Sequence, residues 1–333
     1  MSMVEGVEAR GMKHCETTTL GVLLRHEGVD LSEPMLFGLG SGLSFIYWDA
    51  KGMGFPFLGG RIKPFELTRN VAARLGLELR VEETTSQRKA WQNVASQIDA
   101  GRPVGLQLDS YHLAYFPAKT HFGGHVVAMY GYDDHYAYLV DTVQVGGAVR
   151  TGLAGLAAAR AERGPMTARN RSFTITAPGP VSVTRDQLIA AIRHCAEEFL
   201  ASPIANLGHR GIAKAARRVR TWLRRTDRPG EDLAQAAMLM EQGGTGGALF
   251  RNLYRDFLAE CADSIDDEAL RTGHTLYAEA ATLWTEAAAL IAKAGETIDP
   301  SYLGQAGDVL EDLARIEAEA MKALSACGGT ASS

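Results

Sequence analysis

The feature that most constrains this chain is a change of pattern near residue 178. Before it, Gly, Thr, Tyr and β-branched residues form short strand-like runs; after it, Ala, Leu, Glu and Arg recur at helical spacing. The stretch TAPGPVSV (176–183) lies at the change, where Pro178 and Pro180 interrupt regular structure. The pattern predicts two domains, residues 1–178 and 179–333: an α+β domain with a small antiparallel sheet, then an all-α domain. A length of 333 residues suits that number. No internal repeat is visible.

In the first half, apolar Leu20, Leu23 and Leu24 predict a helix that begins at Cys15, with Thr and Glu in its first turn. Residues 66–77 and 86–100 have amphipathic helical spacing, Gly101-Arg102-Pro103 stops the second, and 104–109 follows as a strand. The stretch HVVAMYGYDDHYAYLVDT (125–142) holds two apolar runs around Tyr132-Asp133-Asp134-His135, which predicts a hairpin; SFTIT (172–176) is a further strand. The second half carries helical patterns near 184–201, 210–226, 231–242, 247–262, 266–293 and 302–326. The tail CGGTASS is expected to be disordered.

Composition excludes several classes. With 46% hydrophobic residues and a net charge of −5, the chain is not intrinsically disordered and lacks the basic excess of a general nucleic-acid binder. No apolar run reaches the roughly 20 residues of a membrane helix, and no signal-peptide segment opens the sequence. Four scattered cysteines (Cys15, Cys195, Cys261 and Cys327), without a CxxC pair, are expected as free thiols in the cytoplasm.

Cys15 at a helix N-terminus meets unpaired N–H groups and the positive end of the macrodipole, which favours a thiolate. A nucleophilic Cys needs a base, and the base an orienting partner. If the hairpin turns near 133–135, antiparallel pairing brings His125, at the start of one strand, beside Asp141, at the end of the other. Gly123 and Gly124 would leave the imidazole room to face a cleft. Taken singly, each residue has a plainer reading: a buried Cys, a hydrogen-bonded His, a turn-capping Asp. Their joint order favours a triad.

That order resembles the papain-like cysteine peptidases, especially the bacteriocin-processing branch, through Gly101-Arg102-Pro103-Val104, the run His125 to Asp133, and Asp141. The chain more closely resembles the butirosin biosynthesis protein H N-terminal family. His14-Cys15, LSEPMLFGLGSGLSFIYW (31–48), GGHVVAMYGYDD and VDT carry that resemblance, and GTGGALFRNLYRDFLAE (244–260) resembles the helical domain that commonly follows. The resemblance implies a papain-like acyltransferase that moves an acyl group from a carrier-protein or CoA thioester onto a small-molecule amine. It implies Cys15 as nucleophile, His125 as general acid and base, Asp141 as orienter, and no cofactor. Where the peptidases place an oxyanion-donating Gln, this chain has Ala9; the Cys15 N–H with Arg10, His14 or Gln107 are the remaining donors. The helical domain would cover the cleft and keep an acyl-enzyme dry. A thioesterase or peptidase, an amide-forming cyclase and a non-catalytic carrier-binding module are the alternatives.

Further residues carry candidate roles. In FGLGSGL (37–43), Gly40 allows backbone approach to an acyl chain or makes a tight turn; a nucleotide loop is the lesser reading, with no ribose-binding acid following. Glu33 could recognise an amine, and Asp109, Tyr111 and His112 could line the acceptor pocket. His112, His121, His125 and Asp109 offer metal-ligand chemistry, but His121 precedes His125 on a Gly-rich loop and no metal is expected. Arg251 follows GGTGG (243–247), a Gly-rich helix start suited to a phosphopantetheine phosphate. Residues 214–228 carry seven positive charges and one acid, either a solvated face or a dock for an acidic carrier protein. A homodimer is among the permitted assemblies.

Overall fold

The computed structural model describes residues 1–116, 121–164 and 166–329. Along the chain run β1 (Ser2–Met3), α1 (Cys15–His26), α2 (Glu33–Leu39), β2 (Leu43–Trp48), β3 (Phe57–Arg61), α3 (Glu66–Leu75), β4 (Glu78–Glu82), α4 (Gln87–Asp99) and β5 (Val104–Leu108). Next come β6 (His125–Tyr132), β7 (Tyr136–Val140), β8 (Ala148–Gly152), α5 (Leu153–Ala161) and β9 (Ser172–Thr176). The remainder is helical: α6 (Arg185–Leu200), α7 (Gly208–Val219), α8 (Pro229–Gln242), α9 (Arg251–Cys261), α10 (Glu268–Thr297) and α11 (Pro300–Ser325).

These elements form two units: residues 1–36 with 64–182, and residues 37–63 with 183–333. The expected division at 178/179 is thus corrected in one respect. Residues 37–63 leave the α+β part and join the helical one, because their alternating strand LSFIYW buries Leu43, Phe45 and Tyr47 there.

The first unit is built on an antiparallel sheet ordered β4-β9-β5-β6-β7-β8, with β1 added to β6. Its two middle strands, β5 and β6, are apolar and buried almost throughout, as a sheet covered on both faces requires. On one face Val104, Leu106, Val127, Met129 and Leu139 pack with Val94 and Ile98 of α4 and Leu156 and Ala159 of α5. On the other, Ala128 and Val140 meet Val22 of α1. Gly105 is required by its partner across the β5–β9 pair: a Cβ there would lie 2.2 Å from the Phe173 ring. The outer strands β4 and β8 and the helix α5 were not expected from sequence. In β4, ELRVE has Glu78 and Arg80 exposed and the rest only half-buried, so its apolar alternation is weak.

The second unit packs α10 and α11 against each other, with α8 and α9 against α10 and α6 and α7 against α11. The β2–β3 hairpin lies on α6, α7 and α8. Helix starts follow capping chemistry: Thr184 and Gln187 form a capping box, Asp267 and Asp299 accept from first-turn amides, and Pro229 and Pro300 occupy the first helical turn. Four cysteines are free and buried. Among the described residues, no helix is long and apolar enough to cross a membrane. Residues 330–333 of the expected disordered tail lie outside the described residues, whereas Cys327 is buried.

Candidate active site

Cys15 is the first residue of α1 and is buried. The helix start is held by Glu33, whose carboxylate accepts from the N–H of Lys13 (3.1 Å) and of His14 (2.7 Å) and from the Thr17 hydroxyl (2.8 Å). These charge-assisted bonds satisfy the N-cap N–H of His14, which has no intrahelical partner, and tie the residue before it and the Thr17 hydroxyl to the same carboxylate. Glu33 therefore fixes the chain on either side of Cys15, and its expected place as an amine-recognising group is taken by those three donors. The next residue, Glu16, is fully buried; its carboxylate accepts from Phe65 N (3.2 Å), Thr68 N (3.0 Å) and the Thr68 hydroxyl (2.8 Å) at the start of α3. Sequence reasoning did not single out Glu16, whose partners stand about fifty residues away.

His125 opens β6, and Asp141 follows the last residue of β7. The pairing Ala128↔Val140, extended one step, sets Asp141 opposite Val127, so His125 and Asp141 form a diagonal pair on one face. Nε2 of His125 donates to Oδ2 of Asp141 at 2.8 Å. The Cys15 side chain is the other group that acts on the His125 ring. With Nε2 held by the carboxylate, Nδ1 is the nitrogen left for sulfur. Burial alone would lower the His125 pKa, but the Asp141 and Cys15 charges and their hydrogen bonds outweigh it and push it up to about 10.

Asp141 is fully buried, and three donors bond to its carboxylate: His125, the Tyr115 hydroxyl (2.8 Å to Oδ2) and the Thr142 N–H (2.7 Å to Oδ1). Tyr115, in a loop that sequence reasoning passed over, has its own pKa raised, first by burial and then by the Asp141 charge. Phe116 packs edge-on against the His125 ring at 5.0 Å between centroids. Behind Asp141 the backbone is close: a Cβ on Gly11 would lie 2.5 Å from the Asp141 carbonyl oxygen. Gly123 is likewise needed for contact, since its Cβ would lie 2.6 Å from the Met166 carbonyl oxygen. That replaces the expectation that this glycine opens space for the imidazole.

The remaining sequence candidates fall as follows. Gln107 donates from Nε2 to the Gly123 carbonyl (2.9 Å) and accepts from Arg171 through Oε1 (2.6 Å), so it supports the loop entering β6. Asp109 accepts from Tyr111 N (2.9 Å), Phe122 N (3.1 Å) and His121 Nδ1 (3.2 Å), while the Tyr111 ring is exposed and stacks on His121. Ala9 packs against the Val22, Ala128 and Val140 cluster. Gly40 lies in the helical unit. His125, engaged with Asp141 and Cys15, stands outside any metal set with His112 and His121.

Arg251 is corrected outright. It is fully buried, forms two 2.8 Å bonds to Glu317, donates to the Leu249 carbonyl and lies over the Trp284 ring, so no phosphate reaches it. At the GGTGG segment the Ala248 N–H already donates to Glu241. Within the basic stretch, Lys214 binds Asn206, Arg220 binds Asp308 and Glu311, Arg225 binds Asp49, and Arg228 binds Glu231. These bonds account for much of that positive charge inside the unit.

A buried thiol at a helix N-terminus, acting on a histidine that a buried carboxylate orients from an antiparallel sheet, defines a papain-like cysteine enzyme. Comparison with known families agrees. Residues 14–142 match the family described as Butirosin biosynthesis protein H, N-terminal, and residues 154–324 match Domain of unknown function (DUF4872). The second match spans just over half of the chain, which belongs to that family, and the first covers the segment before it. The second match begins within α5, inside the first structural unit. A crystal structure described as a C39-like peptidase from Bacillus anthracis aligns with a TM-score of 0.36 and 14% identity, covering 54% of this chain and 98% of that one. No curated protein matches the sequence.

Proposed function

We propose that the chain is an acyltransferase. It takes an acyl group from a carrier-protein or CoA thioester, holds it on Cys15 and passes it to a small-molecule amine in specialised metabolite biosynthesis. The observation that carries this reading is the His125 ring bonded to Asp141 at 2.8 Å, with Cys15 among the groups that raise its pKa. A histidine raised to about 10 keeps its proton at neutral pH, which is the form that pairs with a thiolate.

The thiolate attacks the thioester carbonyl, forming the C–S bond. The carrier sulfur leaves and takes the His125 proton, giving acyl-Cys15 and a neutral imidazole. The amine then attacks the acyl carbon, His125 accepts an amine proton, and Cys15 departs as thiolate. Thioester exchange is nearly balanced energetically and amide formation runs downhill, so no nucleotide is consumed. The Cys15 backbone N–H, at the helix start, is suited to receive the developing oxyanion. Asp141 holds the imidazole tautomer, while Tyr115 and Thr142 hold Asp141. A loaded carrier protein as donor supports a cytoplasmic reaction.

Intact-mass analysis after mixing the full chain with an acyl thioester tests the proposal. The expected result is a persistent acyl adduct, absent in Cys15→Ala, that converts to amide when an amine is added. Immediate hydrolysis without an amine would indicate a thioesterase or peptidase, release of a lactam a cyclase, and no adduct a carrier-binding module.

A further inference from the structure

One cluster of side chains in the first unit is used by none of the chemistry above. His112 ends a short 3-10 turn (Ser110–His112), Glu162 caps the C-terminal end of α5, and His121 precedes β6 by four residues. The fold brings them to one place: each offers a ligand atom, and the three atoms lie within 4.8 Å of one another. Nε2 of His112 is 2.6 Å from Oε2 of Glu162. We propose that His112, His121 and Glu162 form a binding site for a divalent first-row transition metal ion, with Zn2+ as the reference ion.

Two imidazoles and one carboxylate are a donor set for such ions, and three protein ligands leave a position for water. The second observation concerns His121. Its Nδ1 donates to Oδ2 of Asp109 at 3.2 Å, and its ring stacks on Tyr111 at 4.1 Å between centroids, 12° from parallel. A carboxylate on Nδ1 fixes the tautomer whose Nε2 carries the lone pair, the arrangement that supports metal-bound histidines. Asp109 is itself buried and fixed by the N–H groups of Tyr111 and Phe122. Metal binding would replace the direct His112–Glu162 hydrogen bond with two bonds to the ion.

The location gives the ion a structural consequence. Asp109 follows Leu108, which pairs with His125 in the sheet, and Tyr115 and Phe116 follow His112 closely. An ion here ties together the turn after β5, the end of α5 and the residue approaching β6. It therefore braces the segment that supplies Tyr115 to Asp141 and Phe116 to His125.

The test is calorimetric titration with Zn2+ of the full chain carrying Cys15→Ala, which keeps the active-site thiol from taking the metal. One equivalent should bind. Affinity should fall more than tenfold with either His121→Ala or Glu162→Gln, and about 10- to 100-fold with Asp109→Asn. The melting temperature should rise by about 5 °C or more at a hundredfold excess over Kd in the Cys15→Ala chain and not in the ligand variants. No binding up to millimolar Zn2+, or affinity unchanged by either ligand substitution, overturns the site.

Discussion

Asp141→Asn is the substitution whose effect the geometry constrains most tightly. The carboxylate receives His125 and Tyr115 on Oδ2 and Thr142 on Oδ1. An amide cannot serve all three. If its oxygen faces Thr142, its NH2 group meets the His125 nitrogen and forces the proton onto Nδ1, the side needed for the thiol. If its oxygen faces His125, the NH2 group opposes the Thr142 N–H, leaving donors unmatched at about 1–3 kcal/mol. In both cases the negative charge beside the imidazolium is lost. For charges about 4 Å apart at an effective dielectric near 20, that interaction is about 4 kcal/mol, or roughly 10³-fold in rate. The assay is the second-order rate of Cys15 acylation by a short acyl thioester, followed by intact mass, with circular dichroism to verify folding. A folded Asp141→Asn chain acylated within tenfold of wild type would refute the reasoning.

Tyr115→Phe removes one neutral donor and leaves two, so acylation should fall by only about tenfold. Gly11→Ala places a methyl against the Asp141 carbonyl and should cost about 1–3 kcal/mol in denaturant unfolding, with slower acylation. Arg251→Met strands a buried Glu317 and should cost about 3–5 kcal/mol, largely recovered by adding Glu317→Leu; unchanged stability with lost carrier affinity would restore the anion-binding role. His125, raised from 6.5 to about 10 on folding, stabilises the native state fully below about 6.5 and progressively less as pH rises through 10. Cys15→Ala removes part of that rise, so wild type should lose more stability than the variant between pH 7 and 10, measured by urea titration.

The proposed triad was legible because each member sits at a local landmark. A helix start follows from the spacing of Leu20, Leu23 and Leu24, and the hairpin follows from its turn, so chain order alone fixed which strand ends would meet. The supporting groups were not legible. Tyr115 reaches Asp141 from a loop with no periodic pattern, and Glu16 caps a helix start fifty residues onward. Local sequence also could not say which core would take LSFIYW, since an alternating strand serves either unit. The Gly-rich approach to Arg251 looked like an anion site for the same reason: its partner, Glu317, lies 66 residues away on another helix. Such long-range pairs are set by packing, which carries no local periodicity.

Selective modification of the four cysteines tests the central claim most directly. Burial pushes the Cys261 thiol well up and Cys327 up to about 11, which keeps both protonated and weakly nucleophilic near neutrality. Limiting iodoacetamide at pH 7, followed by peptide mapping, should label Cys15 ahead of Cys195, Cys261 and Cys327, and His125→Ala should slow that labelling at least a hundredfold. Labelling spread evenly over the four, or a Cys15 rate indifferent to His125, would contradict the account.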